Sequence, residues 1–199
     1  MEVLPFLLAP FVASLILTGI HAYLGVHVVE RGVIFVDLAL AQIAALGATI
    51  AILVGMDPHA GGAYWISLGF TFLGAAIFSL LRMRRVQIPQ EAFIGIAYAV
   101  ASAAAILAMS KATGETEHLK DMLVGNILAV SWREVGLTAL LYGAIGLFHY
   151  IFRRNFLLIS IDPKTAESQG VSIRLWDFLF YASFGFVVTS SVAIAGVLL

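Results

Sequence analysis

Residues 33–54 read VIFVDLALAQIAALGATIAILV, and this stretch decides the fold class. Its residues are apolar on every face. A strand of a membrane barrel would instead alternate apolar and polar positions over about ten residues. A helix rises about 1.5 Å per residue, so about 20 such residues cross the hydrocarbon core of a bilayer. Five more stretches of the same kind flank it, at 3–29, 60–81, 92–110, 135–152 and 178–199. Asp37 is the only formal charge inside any of the six. The expected fold is all-α: a polytopic membrane bundle of about six transmembrane helices.

Composition points the same way. The chain has 199 residues, of which 61% are hydrophobic and only 12% charged, and its mean hydropathy is +1.01. A soluble domain carries about 25% charged residues, so a soluble globule is excluded. Disorder is excluded as well, because it needs low hydrophobicity. The net charge is −1, and no basic stripe lies outside the turns, so no nucleic-acid partner is expected. There is no cysteine, which removes disulfides, thiolate metal sites, iron–sulfur clusters and a cysteine nucleophile. Residues 1–29 are not expected to be a signal peptide. Glu2 stands where a positive n-region would, and the apolar run is too long for an h-region.

Orientation follows from the eleven Lys and Arg residues. Arg31, Arg82, Arg84, Arg85, Arg153, Arg154, Lys164 and Arg174 fall in one set of turns, and Lys111, Lys120 and Arg133 in the other. Basic residues stay on the cytoplasmic side, so the amino terminus is expected outside. Helices in lipid associate through small residues. Stripes at Gly47, Ala51 and Gly55, at Ala97, Ala101 and Ala105, at Gly95, Ala99 and Ala103, and at Ala139 and Gly143 are candidate contacts. The segment 116–134 has an apolar core too short to span, interrupted by Gly125 and Asn126. It reads as a re-entrant or interfacial segment, or as a tilted first turn of the fifth span.

The cytoplasmic connection 153–177 is the longest polar stretch. Asp162-Pro163 predicts a short helix there, since Asp caps a helix start and Pro suits its first turn. Glu167 lies in that helix, and Gly170 is placed to end it. Such an ordered helix is either a docking element or an ordinary surface helix.

Three stretches carry a resemblance. They are LGVHVVER at 24–31, continuing from Phe35 to Gly47; LVGNILAVS at 123–131; and DPKTAESQGV at 162–171, followed by a span ending AGVLL at 195–199. Together they resemble the permease subunit of bacterial ATP-binding-cassette importers for zinc, manganese or iron. The resemblance implies one membrane domain over 1–199, with 153–177 as its coupling loop, in the inner membrane. It implies a second permease copy, a cytoplasmic ATPase subunit and an extracytoplasmic metal-binding protein as partners. The divalent ion is cargo, and no permanently bound cofactor is implied. Residues Asp162, Ala166, Glu167 and Gly170 would dock the ATPase, with the small Ala166 permitting close approach.

The family places Asp and His four residues apart on the second span as ion ligands. Aligned on Gly47, those positions here are Leu38 and Gln42, and Asp37 lies one residue earlier. Five residues turn a helix by about 500°, which leaves Asp37 and Gln42 about 140° apart. The inherited pair is therefore not intact. The candidate metal residues are Asp37, Gln42 and His21. Asp37 either serves the ion pathway or pairs with Arg31 or reaches the interface. Gln42 is a neutral oxygen ligand or an interhelical hydrogen-bond partner. His21 either lines the pathway or bonds a neighbouring carbonyl. His27 and His149 are expected at the interface, and His59 and His118 outside.

An enzyme is disfavoured. The chain lacks G-x-x-x-x-G-K-[ST], H-E-x-x-H and G-x-S-x-G, so ATP hydrolysis is expected in a separate subunit. The rival readings are a siderophore or corrinoid importer permease and a non-transporting membrane scaffold. The family pattern also sets about two further spans beyond 199. A partial permease is therefore expected, with the small residues of 190–196 left in an open groove.

Overall fold

The structure is a computed structural model, and it describes residues 3–56, 61–82, 88–111, 125 and 127–196. Every regular element among these is helical. In chain order they are α1 (Val3–Arg31), α2 (Val36–Leu53), α3 (Gly61–Leu81), α4 (Gln90–Met109), a single 3₁₀ turn (Ile127–Ala129), α5 (Trp132–Ile151), α6 (Arg153–Ile161), α7 (Pro163–Ser168) and α8 (Ile173–Ala195). The six longest are long and apolar enough to cross a membrane, as the sequence predicts. The largest boundary difference is at α8, which begins more than a turn before the expected residue 178 and so takes Asp177 into the bundle.

Helix α2 is the central element, packed against α3 and α4, and α3 packs in turn against α8. Helix α1 lies against α5 and α6. Small residues set the closest approach. A Cβ on Gly47 would stand 2.8 Å from the backbone Cα of Ser67, so α2 and α3 touch backbone to backbone. The Ser67 hydroxyl seals that contact by donating to the Ala44 carbonyl at 2.6 Å. Between α3 and α8 the hydroxyls of Thr71 and Thr189 meet at 3.0 Å. Polar side chains in lipid find partners in this way because no water is available to them. Ala101 is buried in α4, whereas the alternative stripe of Ala99 and Ala103 turns outward, as do Ala139 and Gly143 of α5.

Two helix starts are chemically specified. Ser131 and Glu134 form a reciprocal capping box on α5. The N–H of Phe35, at the start of α2, donates to Glu91 Oε1 from α4 at 2.8 Å, so a neighbouring span supplies the partner that an orphan helix donor needs.

The segment before α5 enters the bundle. Gly125 has φ +67°, a conformation that suits glycine. A Cβ there would collide with the backbone of Ala195 and Gly196. Val130 is buried. Residues 112–124, His118 and Lys120 among them, and Asn126 lie outside the described residues, as do His59, Arg84 and Arg85. The 190–196 face matches the open groove expected of it only in part. Ser191, Ala195 and Gly196 are buried, Ser190 and Val192 half-buried, and Ala193 exposed. Close packing of Gly125 and a bond from Ser190 to the Tyr142 hydroxyl at 3.1 Å cover part of it from within the chain, while Ser191, Val192, Ala195 and Gly196 line a half-open cavity.

Candidate functional site

Helices α1, α2 and α8 line a half-open cavity of about 580 Å³. Its polar lining comes from Ser14, Thr18 and His21 on α1, Asp37 on α2 and Ser191 on α8. The spacing explains the assembly. Residues 14, 18 and 21 follow at four and three, so they fall on one face of α1. Asp37 lies in the first turn of α2, where the positive end of the helix dipole favours a carboxylate. His21 Nδ1 lies 2.8 Å from the Leu17 carbonyl. A carbonyl only accepts, so Nδ1 carries the proton, and the neutral ring keeps its lone pair on Nε2. A proton-fixed imidazole of this kind is ready to ligate a metal through the other nitrogen. Among the described residues the Asp37 carboxylate has no hydrogen-bond or salt-bridge partner.

The structure thus brings together two of the three residues singled out as metal candidates, His21 and Asp37, on one cavity. Gln42 is not in its lining, in keeping with the angular separation from Asp37. Leu38, at the position where the family carries Asp, does line it. No group of three or more His, Cys, Asp or Glu able to hold a metal occurs among the described residues. A bound cation would therefore draw on hydroxyl and backbone oxygens as well.

The pairing of Asp37 with Arg31 is corrected by the structure. Arg31 instead reaches Asp177, with Nη1 donating to Oδ1 at 2.8 Å. Arg82 donates to the same oxygen at 2.5 Å. Asp177 is fully buried, and the Arg31 side chain is 1% exposed. The guanidinium of Arg31 stacks over Phe180, 3.8 Å from the ring centroid. Its Nε donates to Ser160 Oγ on α6 at 2.9 Å, and Arg82 Nη2 donates to the Ile159 carbonyl at 2.9 Å.

His27 and His149, expected near the membrane interface, face the interior of the bundle. Both are buried. His27 Nδ1 lies 2.9 Å from Ser160 Oγ, His149 Nε2 lies 2.8 Å from Ser183 Oγ, and the Tyr23 hydroxyl stands between the two rings. His149 also stacks on Phe156 at 4.1 Å. The end of the bundle that holds Arg31, Arg82 and Asp177 therefore carries an extended polar network that reasoning from isolated spans misses. A signal for it was present: Asp177 stands between Trp176 and Phe178, with the arginines 31 and 82 at the ends of other spans.

Helix α7 forms as its sequence predicts. Asp162 Oδ1 accepts from the Thr165 N–H at 3.0 Å, Pro163 occupies the first turn, and Gly170 has φ +75°. The Thr165 hydroxyl and N–H hold the Asp162 carboxyl below its ordinary range. Ala166 differs from the expectation that its small side chain meets a partner. It is fully buried within this chain, so its size lets α7 lie against its own bundle. Lys164, Glu167 and Ser168 are the exposed residues of the helix.

A sequence profile described as the ABC 3 transport family matches residues 3–199. The chain is 24% identical over 197 residues to "Manganese transport system membrane protein MntC" of Listeria innocua, covering 98% of this chain and 67% of that protein. It is 27% identical over 186 residues to "Probable iron transport system membrane protein" of Haemophilus influenzae, covering 94% and 66%. It thus spans about two thirds of the length of these relatives. Among solved structures, PsaBC of Streptococcus pneumoniae in complex with Fab superimposes with a TM-score of 0.75 at 22% identity. That match covers 97% of this chain and 67% of the other, and it shows a shared fold.

Proposed function

The chain belongs to the ABC 3 transport family, and from that premise we propose that it is permease machinery of an importer for a divalent first-row metal ion. The ion enters the cytoplasm through the cavity between α1, α2 and α8. Hydrolysis of ATP takes place in a separate ATPase that docks on α7 through its exposed residues. An extracytoplasmic metal-binding protein delivers the ion, and a second permease copy completes the pathway. The chain sits in a bacterial inner membrane with its amino terminus outside, the orientation favoured by the distribution of Lys and Arg.

One observation carries this reading: His21 and Asp37 line a single cavity below the hydroxyls of Ser14 and Thr18. One carboxylate, one imidazole and hydroxyl oxygens make a mixed, mostly hard donor set. Such a set suits manganese or iron(II) better than zinc, which favours imidazole and thiolate. The names of the Listeria and Haemophilus relatives agree with that ordering.

The test is uptake of radioactive manganese, iron and zinc by cells that express the chain with its ATPase and binding protein. Asp37→Asn and His21→Ala should each lower manganese uptake at limiting metal by tenfold or more. Unchanged uptake in both variants refutes the cavity as the ion site. Wild-type uptake of zinc alone refutes the choice of metal.

A further inference from the structure

The three charges Arg31, Arg82 and Asp177 come from three different spans, and both arginines continue past the carboxylate to the same short helix. Arg31, the last residue of α1, donates through Nε to Ser160. Arg82, immediately after α3, donates through Nη2 to the carbonyl of Ile159. Both acceptors lie in the last turn of α6, directly before the Asp162 cap of α7. Asp177 of α8 supplies the one oxygen on which both guanidinium groups converge.

The arrangement is costly as a stabilising device. A largely buried cluster of two cations and one anion, of which only Arg82 is partly exposed, gives up hydration that its mutual attraction only partly returns, and apolar replacements are often as stable or more so. Two polar atoms of the cluster, Arg31 Nη2 and Asp177 Oδ2, are buried with no hydrogen-bond partner. What the cluster does provide is a rigid, direction-specific tie. Through it, α6 is fastened to α1, α3 and α8 by side chains as well as by the chain itself. Helices α1 and α8 are also two of the three walls of the cavity that holds His21 and Asp37.

We propose that Arg31, Arg82 and Asp177 form a mechanical latch that converts movement of α7 into movement of the α1 and α8 walls of that cavity. They are positioning residues for transport and do not contact the ion. The proposal rests on the docking of an ATPase at α7. When α7 is pushed, α6 moves with it, and the two arginines carry the displacement into α1 and α3 while Asp177 carries it into α8. A bundle lacking the tie would let α7 rock on its flanking chain, and nucleotide hydrolysis would proceed without opening the cavity.

The test uses the chain assembled with its ATPase and binding protein in liposomes, with manganese as the probe. Two variants are compared with wild type: Asp177→Asn, and the triple replacement Arg31→Met, Asp177→Leu and Arg82→Met. The triple variant is expected to fold, with a melting temperature no lower than wild type, and to retain the ATPase on purification. ATP hydrolysis should stay within twofold of wild type in both variants, while manganese moved per ATP hydrolysed falls at least tenfold. A ratio within twofold of wild type in a folded variant overturns the latch. Failure of the triple variant to fold also overturns it, because the cluster would then serve the fold alone. Failure of the unmodified chain to retain any ATPase is a separate result, and it refutes the docking reading itself.

Discussion

Replacement of Gly47 by alanine tests the contact that places α2 within the bundle. A Cβ at this position would lie 2.8 Å from Ser67 Cα and 3.0 Å from Phe70 Cβ. The first neighbour is backbone, so no rotamer change relieves it, and α3 must move away by several tenths of an ångström. Overpacking of this kind costs about 1–3 kcal/mol. The shift also stretches the Ser67–Ala44 hydrogen bond, worth about 0.5–1.5 kcal/mol. Against this stands the gain of about 0.8–1.0 kcal/mol for Ala over Gly within a helix. The balance is a loss of about 1–3 kcal/mol. For a chain of this size about 1 kcal/mol moves the melting temperature by 2–4 °C. Gly69→Ala in α3 is the control, because a Cβ there meets nothing within 4 Å and only the helix-propensity gain remains. Thermal unfolding in detergent, followed by tryptophan fluorescence, should place Gly47→Ala several degrees below wild type and Gly69→Ala at or slightly above it. Equal melting temperatures for the two variants would refute the backbone contact between α2 and α3.

Four further outcomes are expected. Ser131→Ala removes the capping box of α5 and should cost about 1 kcal/mol, read as faster amide exchange over residues 132–135. His149→Phe keeps the stack on Phe156 but removes the bonds to Ser183 and Tyr23, and should lower stability by about 1–2 kcal/mol in the same unfolding assay. Because the folded Asp162 carboxyl titrates below its unfolded value, its cap is fully present above the ordinary carboxylate range and is lost as pH falls through the depressed folded value. Amide exchange at Thr165 and Ala166 should therefore accelerate only on strong acidification, and Asp162→Ala should abolish that dependence. Finally, Leu38→Asp with Gln42→His restores the spacing of four and should shift uptake toward zinc, read as the zinc-to-manganese ratio in cells.

Much of the fold was legible because a bilayer imposes few solutions. An unbroken apolar run such as 33–54 admits a helix and little else, and the caps at Asp162 and the stop at Gly170 are local chemistry that needs no knowledge of neighbours. The packing stripes were only half legible. Gly47 and Ala101 face inward, whereas Ala99, Ala139 and Gly143 do not, because small residues alone do not say which side of a helix meets another. The polar network was missed for a physical reason. Asp177 lies just before the apolar run of the last span, so a hydropathy boundary assigns it to a loop, whereas the helix extends N-terminal of that boundary and buries it. Ala166 shows the converse: its identity suggested close approach correctly, but its partner is its own chain.

The latch also has an electrical side. Two guanidinium groups share one carboxylate, so the cluster by itself carries an excess of one positive charge. Arg31 lies ten residues beyond His21 along α1, a distance of about 15 Å. At an effective dielectric constant of about 20, a doubly charged ion near His21 is repelled by about 2 kcal/mol, roughly thirtyfold in equilibrium occupancy. Asp37 attracts the same ion from the opposite side of the balance. Asp37 stands in the first turn of α2, at the end of the bundle that also holds Arg31, so for an ion at the level of His21 its charge would offset that repulsion.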